Sequence, residues 1–141
     1  MTTFVRYLTF LIVLCGLVST SQAAIVLNAT LSGAAEDTPN ASTGIGTATV
    51  TFDDALQTMH LQATFSNLTG TVTASHIHAS TAVPLTGAAG VATQTPSFVG
   101  FPLGVTSGSY DKIFDMTDAA SYNAAYVTAN GGTTATAYAA L

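Results

Sequence analysis

The hydrophobic positions of this chain follow two different patterns. From Tyr7 to Val18 they run almost unbroken as "YLTFLIVLCGLV"; beyond residue 24 they recur at every second position in short stretches parted by Gly, Pro, Asn and Ser. Alternation with a period of two predicts strands that bury one face and expose the other. "IVLNATL" (25–31) opens the series, and "SGAAEDTPNASTG" (32–44) interrupts it as a loop, because Gly33, Pro39, Asn40 and Gly44 break any period. "IGTATVTF" (45–52) sets Gly46, Ala48, Val50 and Phe52 against Ile45, Thr47, Thr49 and Thr51. "DDA" turns the chain, and "LQTMHLQATF" (56–65) returns with Met59, Leu61, Ala63 and Phe65 on one side. A second turn, "SNLTG" (66–70), leads into "TVTASHIH" (71–78). The Gly- and Pro-punctuated stretch 80–104 holds one more short strand around Phe98–Phe101, and "SGSYDKIF" (107–114) reads as a further strand.

After Asp115 the period lengthens. "MTDAASYNAAYVTANGG" spaces Ala, Tyr and Val as a helix does, with Thr117 or Asp118 as its N-cap and Gly131 just past its end. "TTATAYAAL" begins a second helical piece and the sequence stops at Leu141 inside it. The expected class is therefore mostly β with a short helical segment near the C-terminus.

The unbroken apolar run has its own meaning. Arg6 precedes it and "STSQAA" follows it, which is the layout of a secretory signal peptide. The run is shorter than the roughly 20 residues that span a bilayer. Small residues at Ser21 and Ala23 place the cut after Ala23, giving a signal peptide over 1–23 and one domain over 24–141. The single cysteine, Cys15, falls within the removed piece, so the remaining domain has neither a disulfide nor thiol chemistry. The expected location is secreted, extracellular or periplasmic, with no membrane attachment after cleavage.

Charge excludes whole classes of partner. Charged residues make up 6% of the chain, with two basic residues against seven acidic ones and a formal net charge of −5. Nucleic acid and anionic membrane surfaces both require clustered Lys and Arg, which this chain lacks.

Three stretches, "LSGAAEDTPNASTGIGTATVTFD", "LQATFSNLTGTVTASHIHAS" and "TSGSYDKIFDMTDAASYNAAYVTANGGTTATAYAAL", together resemble the CHRD domain, the module named after chordin and found in many secreted bacterial proteins. The resemblance covers nearly all of residues 27–141, and its more specific parts are "HIH" and "SYNAAYVTANGGT". It implies an immunoglobulin-like β-sandwich with limited similarity to Cu/Zn superoxide dismutase. It also implies a closing strand, with an Asn-x-His-Thr pattern and a Gly-Glu-Ile-Arg-Gly ending, that is not found here, so the domain is expected to lack that strand. The implied function is an extracellular binding or structural module, not an enzyme, whose partner is an extracellular protein or matrix component.

The chain has three histidines, and they raise a second reading. His76 and His78 stand at i and i+2, so on a strand they share a face about 6.6 Å apart along the chain. Two imidazoles at that spacing can converge on one ion at about 2.0 Å each. If 56–65 and 71–78 form a hairpin about Leu68, His60 faces His76 with Cβ atoms roughly 5 Å apart. His60, His76 and His78 would then be a ligand set for Cu or Zn with an open position. The alternatives are a pair that merely hydrogen-bonds a sheet to a loop, and a truncated chain without function. Three histidines cannot fill both metal sites of a superoxide dismutase, which argues against redox chemistry. Asp111, Asp115 and Asp118 match no calcium loop, so capping is the expected use of Asp118. Sequons begin at Asn28, Asn40 and Asn67.

Overall fold

The computed structural model describes residues 24–36, 38–83 and 86–141; the signal peptide read at 1–23 lies outside the described residues. Among the described residues four strands form one antiparallel sheet in the order β1-β2-β3-β4. They are β1 (Ile25–Ser32), β2 (Ile45–Asp53), β3 (Thr58–Ser66) and β4 (Gly108–Asp115). Two short helices follow, α1 (Ala124–Ala129) and α2 (Thr134–Ala139). The mostly β class with a helical C-terminal segment thus stands.

The β2–β3 hairpin follows directly from its sequence. Asp53 accepts a hydrogen bond from the Leu56 backbone N–H at 2.9 Å, and Gln57 takes a positive φ of 48°, so the chain reverses and pairs Asp53 with Thr58. That register sets Val50 opposite Leu61 and Phe52 opposite Met59, which gathers the large apolar side chains on one face. Met59 and Leu61 are buried there at 0% and 4% exposure, and burying one such side chain stabilises a fold by about 1.5–3 kcal/mol.

The neighbour of β3 differs from the one expected. The segment 71–78 does not pair with β3; β4 does, setting His60 opposite Ile113 and Met59 opposite Phe114. The physical reason is the side chains each candidate offers to the buried face. A partner at 71–78 would place Ser75, Thr73 and Thr71 beside Leu61, Ala63 and Phe65, whereas β4 places Tyr110 beside Ala63 and Phe114 beside Met59, both buried.

The segment 71–106 crosses to cover the sheet instead. Among the described residues it forms isolated bridges, Ser75 to Ser97 and His78 to Val91, and no second ladder. The expected strand at Phe98–Phe101 is a turn, closed by the Phe101 N–H donating to the Phe98 carbonyl at 3.1 Å. Both of its phenylalanines pack on the sheet: Phe98 lies 5.1 Å from Phe114, and Phe101 lies 4.9 Å from Tyr110 and 5.7 Å from Phe65, ring centre to ring centre. Offset and tilted pairs at these distances are favourable beyond the area they bury.

The helical region also divides more finely than its spacing suggested. Asp118 caps a 3-10 turn (Ala119–Ser121), while Asn123 caps α1 by accepting from the Ala125 N–H at 3.1 Å. Thr117 caps nothing and is tied to Asp115. Gly131 and Gly132 take positive φ just past α1, which ends that helix where the sequence placed its stop. Thr133 and Thr136 form a reciprocal capping box that starts α2. Tyr126 and Ala137 carry these helices onto the core.

Candidate functional site

Two features of the fold bear on function: the histidine pair and the open side of the sheet at β1. The pair is built from the backbone upward. On one side the segment carrying it is stitched to 90–98: the Ser75 N–H donates to the Pro96 carbonyl, the Ala79 N–H to the Gly90 carbonyl, and the Ile77 carbonyl accepts from the Ala92 N–H. Thr93, fully buried, accepts from the Ile77 N–H through its hydroxyl at 2.8 Å. This fixes the extended backbone, so Ile77 packs toward the core and its two neighbours share the other face. The rings of His76 and His78 lie 5.0 Å apart centre to centre, as their i, i+2 spacing predicted.

Each ring is oriented by a backbone carbonyl. His76 Nδ1 lies 3.1 Å from the Pro96 oxygen and His78 Nδ1 lies 2.6 Å from the Ala89 oxygen. A carbonyl oxygen only accepts, so both Nδ1 atoms carry hydrogen. In the neutral rings Nε2 therefore holds the lone pair.

His60 stands apart from this pair. It faces Ile113 across the ladder and its Nε2 lies 2.7 Å from Asp111 Oδ1. Gln62 donates to the other oxygen of that carboxylate at 2.9 Å. These two bonds, the one from His60 first, hold the Asp111 carboxyl below its ordinary value of 3.8. Among the described residues no group of three or more His, Cys, Asp or Glu side chains is arranged to hold a metal ion. The three-histidine set thus separates into a pair, His76 and His78, and His60, which is hydrogen-bonded to Asp111 on the surface. The expected convergence depended on the 56–65/71–78 hairpin, which is not the pairing formed. Asp118 caps the 3-10 turn before α1 and not the helix it was expected to cap.

The second feature went unnoticed in the sequence. β1 is an edge strand, paired only with β2 among the described residues. Its register puts Ile25, Leu27 and Leu31 opposite Phe52, Val50 and Gly46, on the core-facing side of the sheet. These three nevertheless remain 51%, 55% and 41% exposed. Among the described residues the helices and the 71–106 layer pack over β2, β3 and β4 and leave the inward side chains of β1 largely exposed. A row of cavities results along the uncovered strip. One is lined by Ile25, Leu27, Phe52, Asp54 and Leu141; the next by Leu27, Val50, Ile77 and His78; a third by Leu31, Glu36, Phe65 and Phe101. The alternation that identified β1 reports which side chains face inward, and it is silent on whether anything covers them.

Comparison with known families now bears on this arrangement. A family model described as the CHRD domain matches residues 27–140. The chain belongs to the CHRD domain family. The match takes in the whole sheet except the first two residues of β1, the histidine pair and both helices. No curated protein matches the chain, and no solved structure matches it. No helix among the described residues is long and apolar enough to cross a membrane.

Proposed function

We propose that this CHRD domain is an exported, non-catalytic binding module, and that it takes an extended apolar segment of an extracellular protein along β1. The observation that carries this reading is the exposure of Ile25, Leu27 and Leu31 on the inner side of an edge strand. Edge strands are normally protected by a charge, a proline or a bulge, since their free N–H and C=O groups invite another strand. "IVLNATLS" contains neither charge nor proline. An added strand would satisfy the outward backbone groups and bury the apolar side chains below it, the two components of binding by strand addition.

The charges refine the partner. Asp54 lines the cavity at one end of the strip and Glu36 the cavity at the other. Lys112, the single basic residue beyond residue 23, lies on β4 at the far edge of the sheet, its Nζ 3.5 Å from the Val99 carbonyl. A segment with Lys or Arg flanking its apolar stretch fits this layout. The export signal read at 1–23 supports a partner outside the cell.

The test is a titration of the protein with extended peptides of alternating Val and Thr, flanked by Lys at both ends, followed by amide hydrogen exchange. Exchange should slow at alternate residues of β1 and leave β4 unchanged, and Leu27→Lys should abolish the slowing. Protection confined to β4, or none at any residue with any such peptide, would overturn the proposal.

A further inference from the structure

The geometry points to His76 and His78 as a two-histidine site for a tetrahedral divalent ion, Zn²⁺ above all, without His60. Three observations converge on it. The first is the tautomer: both Nδ1 atoms are committed to carbonyls, from Pro96 and Ala89, so in each neutral ring Nε2 is the nitrogen that carries the lone pair. A carbonyl on the distal ring nitrogen is the usual support of a ligating histidine, because it fixes the tautomer and the ring's rotation before the ion arrives. Here both members of the pair have it.

The second is the spacing. An ion about 2.0 Å from each Nε2 lies about 3.2 Å from each ring centre, so two ligands at a tetrahedral angle put the ring centres about 5 Å apart. The rings are 5.0 Å apart. By the same construction a right-angled pair, as in a square-planar copper site, would need about 4.5 Å. The separation is that of two imidazoles able to share one tetrahedral ion.

The third is access and rigidity. His78 is exposed and His76 half-buried, so an ion reaches the pair from solvent. The backbone beneath them is pinned at Ser75, Ile77 and Ala79 by bonds to 90–98 and to the buried Thr93. A site whose ligands are already held loses little conformational entropy on binding. With two protein ligands, the remaining two positions of the ion fall to water or to a ligand from another molecule. His78 also borders the cavity lined by Leu27 and Val50, so the site adjoins the strip along β1. The zinc site stands or falls independently of that strip.

The experiment uses the exported protein purified without a histidine tag and stripped with chelator. Zn²⁺ uptake is measured by calorimetry and by the rise in Tm that an ion bound only to the folded state must produce. Co²⁺ serves as the visible probe, since a four-coordinate site absorbs far more strongly than a six-coordinate one. His76→Asn and His78→Asn are the informative variants: the Asn amide can donate to the same carbonyl in place of Nδ1–H and has nothing in place of Nε2. A single ion per chain, a four-coordinate Co²⁺ spectrum, and loss of both in the double Asn variant with an unchanged metal-free Tm are expected. His60→Asn should take up the ion as the natural chain does. No uptake by the natural chain, unchanged uptake by the double variant, or loss of uptake in His60→Asn would each overturn the assignment.

Discussion

At the scale of single residues, the three histidines show how one residue type is put to different uses by its neighbours. His60 lies on the solvent side of the sheet and, with Gln62 of the same strand, meets Asp111 across the β3–β4 ladder. The depressed Asp111 carboxyl has a definite consequence. A group whose folded value lies below its unfolded one adds stability that is present above the unfolded value and lost as pH falls through the folded one. A carboxyl carbon titration should therefore place the Asp111 midpoint below 3.8 and move it upward in His60→Ala, because the bond from His60 is the larger cause. A midpoint unmoved by that substitution would show the two side chains to be uncoupled. The i, i+2 pairing of His76 and His78 was legible in the sequence because it depends only on local backbone geometry. The place of His60 was not, since it depends on which strand lies beside β3.

At the scale of elements, the legible parts were those whose partners lie close in sequence. The β2–β3 hairpin is set by alternation on both arms and by the Asp53 turn between them, all within residues 45–66. β4 comes more than 40 residues after β3 begins, too far for any local pattern to specify the pairing. The segment 71–78 alternates as a strand does, and its sequence cannot show that Ser75, Thr73 and Thr71 lose the competition for the buried face to Tyr110 and Phe114. The helical segment was misread at its cap for a similar reason. Asn123 does two tasks, capping α1 with its oxygen and donating from Nδ2 to the Val91 carbonyl at 3.0 Å, and the second is a tertiary bond with no local signature. Asn123→Ala should cost about 1–2 kcal/mol in chemical denaturation, at or above the usual loss of an N-cap. A change under about 0.3 kcal/mol would show that neither bond contributes to stability.

At the scale of the molecule, the organising fact is asymmetry across the sheet. Phe98, Tyr122 and Tyr126 are buried in one core with Met59 and Leu61 of β3 and Tyr110 and Phe114 of β4, and Phe101 packs against it partly buried. Among the described residues the cover of the sheet thins toward β1, whose inward side chains border a row of cavities. Acidic groups border that strip while the lone lysine sits at the opposite edge, so both shape and charge distinguish the two sides of the domain. The CHRD match over 27–140 gives the family, and the proposed binding rests on the exposed β1 strip of this chain.

The most direct measurement of that claim compares the stability of two substitutions on the same face of the sheet. Leu27→Ser, on the uncovered strip, should change the free energy of unfolding by no more than about 0.5 kcal/mol, as an exposed position does. Leu61→Ala, under the aromatic cover, should cost about 2–5 kcal/mol. A loss at Leu27 as large as that at Leu61 would mean that β1 is already covered in the free protein, and the binding strip would not exist.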